Sequence, residues 1–200
     1  MEENISQTPP KQDPPVAKKE SWLKELINFA LIAVFIVIPF RIFIAQPFIV
    51  SGDSMDPTFL NGQYLIVDQI SYRLEAPSRD SVVIFRYPLD PSKFFIKRII
   101  GLPGDTIKIT NNKVFVNDEE LAEPYLPTGT PTYIFTSNTW KLAPDQYFVL
   151  GDNRPHSSDS RIWGILPKKD IIGRPFLRLF PLNTIGIFPG DYSTNTGPKN

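Results

Sequence analysis

Cysteine is absent and histidine occurs once, at position 156. The first absence excludes disulfides, thiol nucleophiles and cysteine-bound zinc. The second excludes most hydrolytic metal centres, which take two or three imidazoles, and permits a serine–histidine–aspartate triad only if that one ring is suitably placed. Any hydrolytic chemistry in this chain is expected to draw on another base, and no metal or cofactor is expected. An excess of charge of one sign is also missing. Lys and Arg (21) balance Asp and Glu (21), so no global positive field gathers phosphates, and nucleic acid is not an expected partner. What is present is enough apolar material, 42% of 200 residues, for the core of one ordinary domain plus an appendage.

Charge is missing locally too. From Leu26 to Phe40 the chain reads LINFALIAVFIVIPF, and Arg41 is the only charge before IFIAQPFIV. As a helix, Leu26 to Ile44 would span about 28 Å, close to the hydrocarbon thickness of a bilayer. A buried core helix and a cleaved secretory signal are the alternatives. Arg41 lies near the end of the run, where its side chain can snorkel to the interface. The residues Phe43 to Pro47 offer no A-x-A cleavage site. The expectation is one transmembrane anchor over residues 23–45, preceded by a polar, proline-bearing, disordered tail over residues 1–22. Lys11, Lys18, Lys19 and Lys24 precede the span and only Arg41 closely follows it, which places the N-terminus in the cytoplasm. Residues 46–190 then form an extracytoplasmic domain, and residues 191–200 a frayed tail.

That domain is rich in β-branched and aromatic runs broken by turn signals, as in YLIVDQISY, SVVIFRYP, TIKITNNKVFVND and QYFVLGDN. A mostly β fold is expected, an antiparallel sheet domain with a smaller inserted β region at about residues 113–139. Asn111-Asn112 is a hairpin-turn candidate, because asparagine tolerates positive φ.

Three segments carry candidate chemistry. SGDSMDPTF (Ser51 to Phe59) follows the apolar PFIV and can expose a hydroxyl at a strand end, although serine is equally an ordinary turn residue. In KFFIKRIIGLPGD (Lys93 to Asp105), strand alternation puts Phe95, Lys97 and Ile99 on one face. An ammonium group turned to a core is pushed toward the neutral amine, which can accept a serine proton. Lowering it from about 10.4 to about 8 costs roughly 3.3 kcal/mol. The alternative is a half-exposed face with the lysine snorkelling outward. Arg98, on the opposite face, reads as an ion-pairing structural residue. GDNRPHSSDSRIWG (Gly151 to Gly164) is a polar loop directly after a buried strand, either a solvated loop or a support for a site.

In order and wording these segments resemble the type I signal peptidases, with SRDSVVIFRYP (Ser78 to Pro88) as a fourth, weaker match. The resemblance runs from about Ile49 to Gly164. It implies Ser54 as nucleophile and Lys97 as general base, with Ser157 orienting the lysine amine and Asp159 and Arg161 forming a supporting ion pair. Met55 would pack beneath the nucleophile and line a substrate pocket. Where some members carry a serine two residues before the nucleophile, this chain has Gly52. The oxyanion would then be held by the Ser54 amide together with the Gly52 amide or the Ser51 hydroxyl. The implied reaction is removal of signal peptides from exported preproteins with A-x-A sites, at a plasma or an internal membrane. Two rivals remain: a self-cleaving Ser/Lys stress regulator, against which the apolar span argues, and an anchored binding module without catalysis.

Overall fold

The computed structural model describes residues 22–37 and 45–192, which fall into two units. The first is helix α1 (Trp22–Ile32), continued by a wider π-helical turn over Ala33–Val37. No residue of α1 is buried, and Trp22, Phe29 and Phe35 are more than two-thirds exposed. Among the described residues no helix is long and apolar enough to cross a membrane. Residues 38–44 of the expected anchor, like the tail over 1–21, lie outside the described residues.

The second unit is built from strands. β1 (Ala45–Ile49), β2 (Tyr64–Asp68), β3 (Val82–Tyr87), β4 (Asp90–Gly101), β9 (Gln146–Leu150), β10 (Leu166–Pro167) and β11 (Ile171–Phe180) form one antiparallel sheet in the order β1-β2-β11-β3-β4-β9-β10, and β12 (Gly186–Ile187) folds back on β11. β5 (Thr106–Thr110), β6 (Lys113–Val116), β7 (Glu119–Glu120) and β8 (Thr139–Lys141) make a second sheet in the order β7-β6-β5-β8. β1 begins at Ala45, one residue inside the expected anchor.

Where the sequence places an insertion at about 113–139, this second sheet runs from 106 to 141, because β5 lies before those bounds and pairs with β8, which continues past them to Lys141. Asn111 and Asn112 turn its first hairpin with φ of 50° and 61°, as the asparagine pair predicts. A core cluster around Ile100, Ile107, Ile109, Phe148 and Leu150 joins the two sheets. A second surrounds Val83, Phe85, Ile99, Tyr147 and Val149, and a third comprises Val50, Met55, Phe59, Leu65 and Val82.

The expected fraying from residue 191 is not what the structure shows at its start. Tyr192 packs 5.7 Å from the Tyr125 ring and 5.2 Å from the Arg98 guanidinium, because that buried cation presents an aromatic-faced surface for the chain end to cover. Residues 193–200 lie outside the described residues.

Candidate active site

The Ser51–Phe59 loop is closed at its base by Val50 N donating to Gln63 O and Gly62 N to Val50 O, both at 2.9 Å. Met55 and Phe59, four residues apart and joined by a 2.9 Å hydrogen bond from Phe59 N to Met55 O, are buried and nail the loop to the core. Ser54 is left half-buried at the top. Gly52 takes φ +92°, a backbone conformation that side chains other than glycine rarely adopt. Met55, expected beneath the serine and in a substrate pocket, is 1% exposed, belongs to the core and is not among the residues lining the neighbouring cleft. Its apolar side chain is better buried with Phe59 and Leu65 than held at a wet surface.

Lys97 comes from the middle of β4, paired with Val83 of β3. Its face carries Phe95 and Ile99, which pack in one core cluster, and the amine is 5.3 Å from the Phe95 ring centroid. Lys97 Nζ lies 2.6 Å from Ser54 Oγ and donates to Ile96 O at 2.9 Å. The residue is 3% exposed, so the snorkelling alternative is not realised. Dehydration pulls its pKa from 10.5 down to about 8, opposed by the more distant Asp159 and Asp152. No carboxylate forms an ion pair with it among the described residues.

The sign of this shift gives a stability expectation. Below pH 8 the folded protein carries the full penalty of a buried ammonium. The penalty is relieved as pH rises from about 8 to 10.5, where the unfolded chain still binds a proton that the folded one has lost. Lys97→Met is therefore expected to be more stable than the wild type by about 3 kcal/mol at pH 7. In urea denaturation the gap should narrow by pH 10; a gap independent of pH would contradict the dehydration account.

The loop after β9 supports both elements. Asp159 and Arg161 form a fully buried two-pronged pair, Nε to Oδ1 at 2.8 Å and Nη2 to Oδ2 at 2.7 Å, the supporting pair expected from sequence. Asp159 also accepts from Gly151 N at 3.1 Å, and Arg161 donates to the carbonyls of Arg154 and Tyr133 at 2.7 and 3.3 Å. Ser157 is buried nearby, and a side chain at Gly151 would collide with its Oγ and with the Ser54 carbonyl. The expected contact from Ser157 to the lysine is not made. Ser157 Oγ has no hydrogen-bond partner among the described residues, while Nζ is engaged by Ser54 and Ile96.

Behind the lysine, Arg98 grips Asp152 at 2.9 and 2.6 Å with both side chains fully buried, and donates to Asp80 O and Gly190 O at 2.6 Å. Asp152 Oδ2 in turn accepts from Thr58 Oγ1 at 2.5 Å, within the serine loop. Asn153 N donates to Ser54 O at 3.0 Å. Sequence reasoning gave Thr58 no role; the signal was its place in SGDSMDPTF, although only the fold brings Asp152 to it. Arg154, also buried, pairs with Glu123 and Thr132 of the insertion.

Ser54 and Lys97 open into a cleft of about 470 Å³. One side is β1, whose outer edge has no strand partner among the described residues; the other is residues 93–97 of β4, beyond the Arg98–Gly101 stretch that pairs with β9. Leu65, Ile84 and Ile96 contribute apolar lining. Of the expected oxyanion donors, the Gly52 amide is already donating to Asn61 Oδ1 at 3.0 Å because its left-handed turn points it there. Ser51 lines the cleft and is exposed. Among the described residues no group of three or more His, Asp or Glu side chains is placed to hold a metal ion.

A family model described as "Signal peptidase, peptidase S26" matches residues 23–180. The "Probable signal peptidase I-2" of Synechocystis is 39% identical, over 96% of this chain and 88% of its own. The "Signal peptidase I" of Leptolyngbya laminosa is 37% identical, over 90% and 91%. A crystal structure of a signal peptidase I from Enterococcus faecalis aligns with 50% of this chain and 97% of its own, at 28% identity and a TM-score of 0.43.

Proposed function

The chain belongs to the signal peptidase family, peptidase S26, and on that footing we propose that it is a membrane-anchored serine endopeptidase that removes signal peptides from exported preproteins by a Ser54–Lys97 dyad. The observation that carries the dyad is the 2.6 Å contact between a half-buried serine hydroxyl and a dehydrated lysine amine. In its neutral form Lys97 accepts the Ser54 proton as Oγ attacks the peptide carbonyl. The resulting ammonium gives that proton to the departing amine, leaving the acyl-enzyme. Neutral again, Lys97 takes a proton from water, the hydroxide attacks the ester, and the proton returns to Ser54 Oγ as the new carboxyl terminus leaves. The Ser54 amide and the Ser51 hydroxyl are the oxyanion donors. Asp159 and Arg161 hold the loop against Gly151, on which Ser157 and the Ser54 carbonyl both close.

The open edges of β1 and of β4 residues 93–97 invite an extended peptide to add as a strand, alternate side chains facing the cleft floor. The apolar lining of Leu65, Ile84 and Ile96 suits small residues at the first and third positions before the cut, the A-x-A pattern. Supporting the anchor are the unburied apolar surface of α1 and the uncharged sequence that continues it to Phe40. Exposed Leu179, Phe180, Leu182, Ile185 and Ile187 around the β11–β12 turn add a lipid-compatible face on the second unit. The lysines before α1 put the N-terminus in the cytoplasm and the catalytic unit outside, at a plasma or an internal membrane.

The test is cleavage of an A-x-A preprotein by the full chain in detergent, with the cut located by mass spectrometry. Cutting after the second alanine is expected. Since the neutral amine is the working form, kcat/KM should climb about tenfold per pH unit below pH 8 and level off above it. No cutting by the folded protein overturns the peptidase reading; a flat profile from pH 6 to 10 overturns Lys97 as base.

A further inference from the structure

His156, the single histidine, takes no part in the chemistry above, yet its exposed side chain borders the cleft beside Ser54 and Ser158. Its ring is oriented by Asn153. Asn153 Nδ2 donates to the Asp53 carbonyl at 3.1 Å, so Oδ1 is the atom that meets His156 Nδ1 at 3.2 Å. An acceptor there requires the hydrogen on Nδ1, which leaves Nε2 as the ring nitrogen available to a ligand: a bare acceptor in the neutral ring, a charged donor in the imidazolium. The same Asn153 donates its backbone N–H to Ser54 O, so the ring is referenced to the nucleophile through one residue.

The other charged groups bordering the cleft are Asp53, Lys93 and Lys97. Lys93 is paired with Asp90 at 3.1 Å and Lys97 is engaged with Ser54. Among the described residues Asp53 is the one carboxylate on this border, tied to the histidine's wall by its carbonyl, which accepts from Asn153 Nδ2. An acidic substrate side chain at that wall meets repulsion from Asp53 while the ring is neutral and gains a charge-assisted hydrogen bond once the ring is protonated.

We propose that His156 is a specificity-determining residue which, as imidazolium, binds a carboxylate side chain of the substrate beside the scissile bond. The proposal rests on the peptidase reading. Only the protonated ring makes that bond, so the preference for acidic substrates strengthens as pH falls.

The experiment uses the full chain in detergent and A-x-A peptides in pairs that differ only as Asp against Asn, at the residue between the two alanines and at each of the first two residues after the cut. The ratio of kcat/KM within a pair cancels the Lys97 titration, which both peptides share. At one of these positions the Asp/Asn ratio should rise about tenfold from pH 8 to pH 5.5. In His156→Asn, which keeps a donor toward Asn153 but removes Nε2, the ratio should be low and flat. In His156→Lys it should be high and flat. A flat wild-type ratio at all three positions, or a pH-dependent ratio that survives in His156→Asn, overturns the proposal. Absence of cleavage of every peptide by the wild type would instead overturn the peptidase reading.

Discussion

Ser54→Ala and Lys97→Met are each expected to lower kcat by at least about 10,000-fold, and the double variant by no more than either alone. A hydroxyl without a base and a base without a hydroxyl are equally idle, so the two effects are not additive. Ser54→Ala leaves the Met55 and Phe59 anchors intact but takes from the buried Lys97 amine one of its two acceptors, so it should lose no more than about 1.5–3 kcal/mol at pH 7 and stay folded. Lys97→Met retains the volume of the lysine stem beside Phe95 and is the better base variant, because its predicted gain in stability separates lost chemistry from lost fold. Lys97→Arg should be equally inactive, since a guanidinium holds its proton throughout the accessible pH range. The measurement is single-turnover cleavage of an A-x-A preprotein. Either single variant retaining more than about 1% of the wild-type rate would rule out its residue as an essential member of the dyad.

Asp152→Ala is expected to destabilise the protein by about 3–5 kcal/mol. It strips Arg98 of both carboxylate contacts while that guanidinium stays fully buried under Tyr125, at 4.0 Å from its ring. It also releases Thr58 Oγ1 and with it one tie on the serine loop. Replacing the pair together, Arg98→Met with Asp152→Leu, should recover more than half of the loss, because no unpaired charge is then left inside. Urea denaturation at pH 7 checks both. A loss below about 1 kcal/mol for Asp152→Ala would mean that water or a relaxed side chain reaches Arg98, and that the pair is not a main strut of the site.

The β character, the Asn111-Asn112 hairpin and the two sides of β4 were legible because strand periodicity is local: alternation alone separates Lys97 from Arg98. The meeting of Ser54 with Lys97 was legible only through the resemblance, since they stand 43 positions apart with β2 and β3 between them. What local pattern could not show is where side chains are shared. Met55 reads as a pocket residue beside a nucleophile, but its neighbours Phe59 and Leu65 draw it into the core. Gly52 reads as a free amide until Asn61 is seen to occupy it. Thr58, Asp152 and Arg98 come from three separate motifs, and no spacing rule connects them. The second sheet runs wider than the bounds read from sequence for a similar reason: β5 and β8 pair across β6, β7 and the loops that join them.

The two buried arginines of the loop after β9 treat the insertion unequally. Arg161 holds it through the Tyr133 carbonyl and the Phe135 ring, 5.2 Å from its guanidinium, and its own carbonyl accepts from Thr136 Oγ1 at 2.8 Å, whereas Arg154 pairs with the side chains of Glu123 and Thr132. The exposed remainder of the ribbon is under less obligation to keep its wording. It can change in composition, and even in loop length, without disturbing the loop after β9, provided these partners still reach Arg154 and Arg161 and Val114, Val116 and Tyr125 still fill the core.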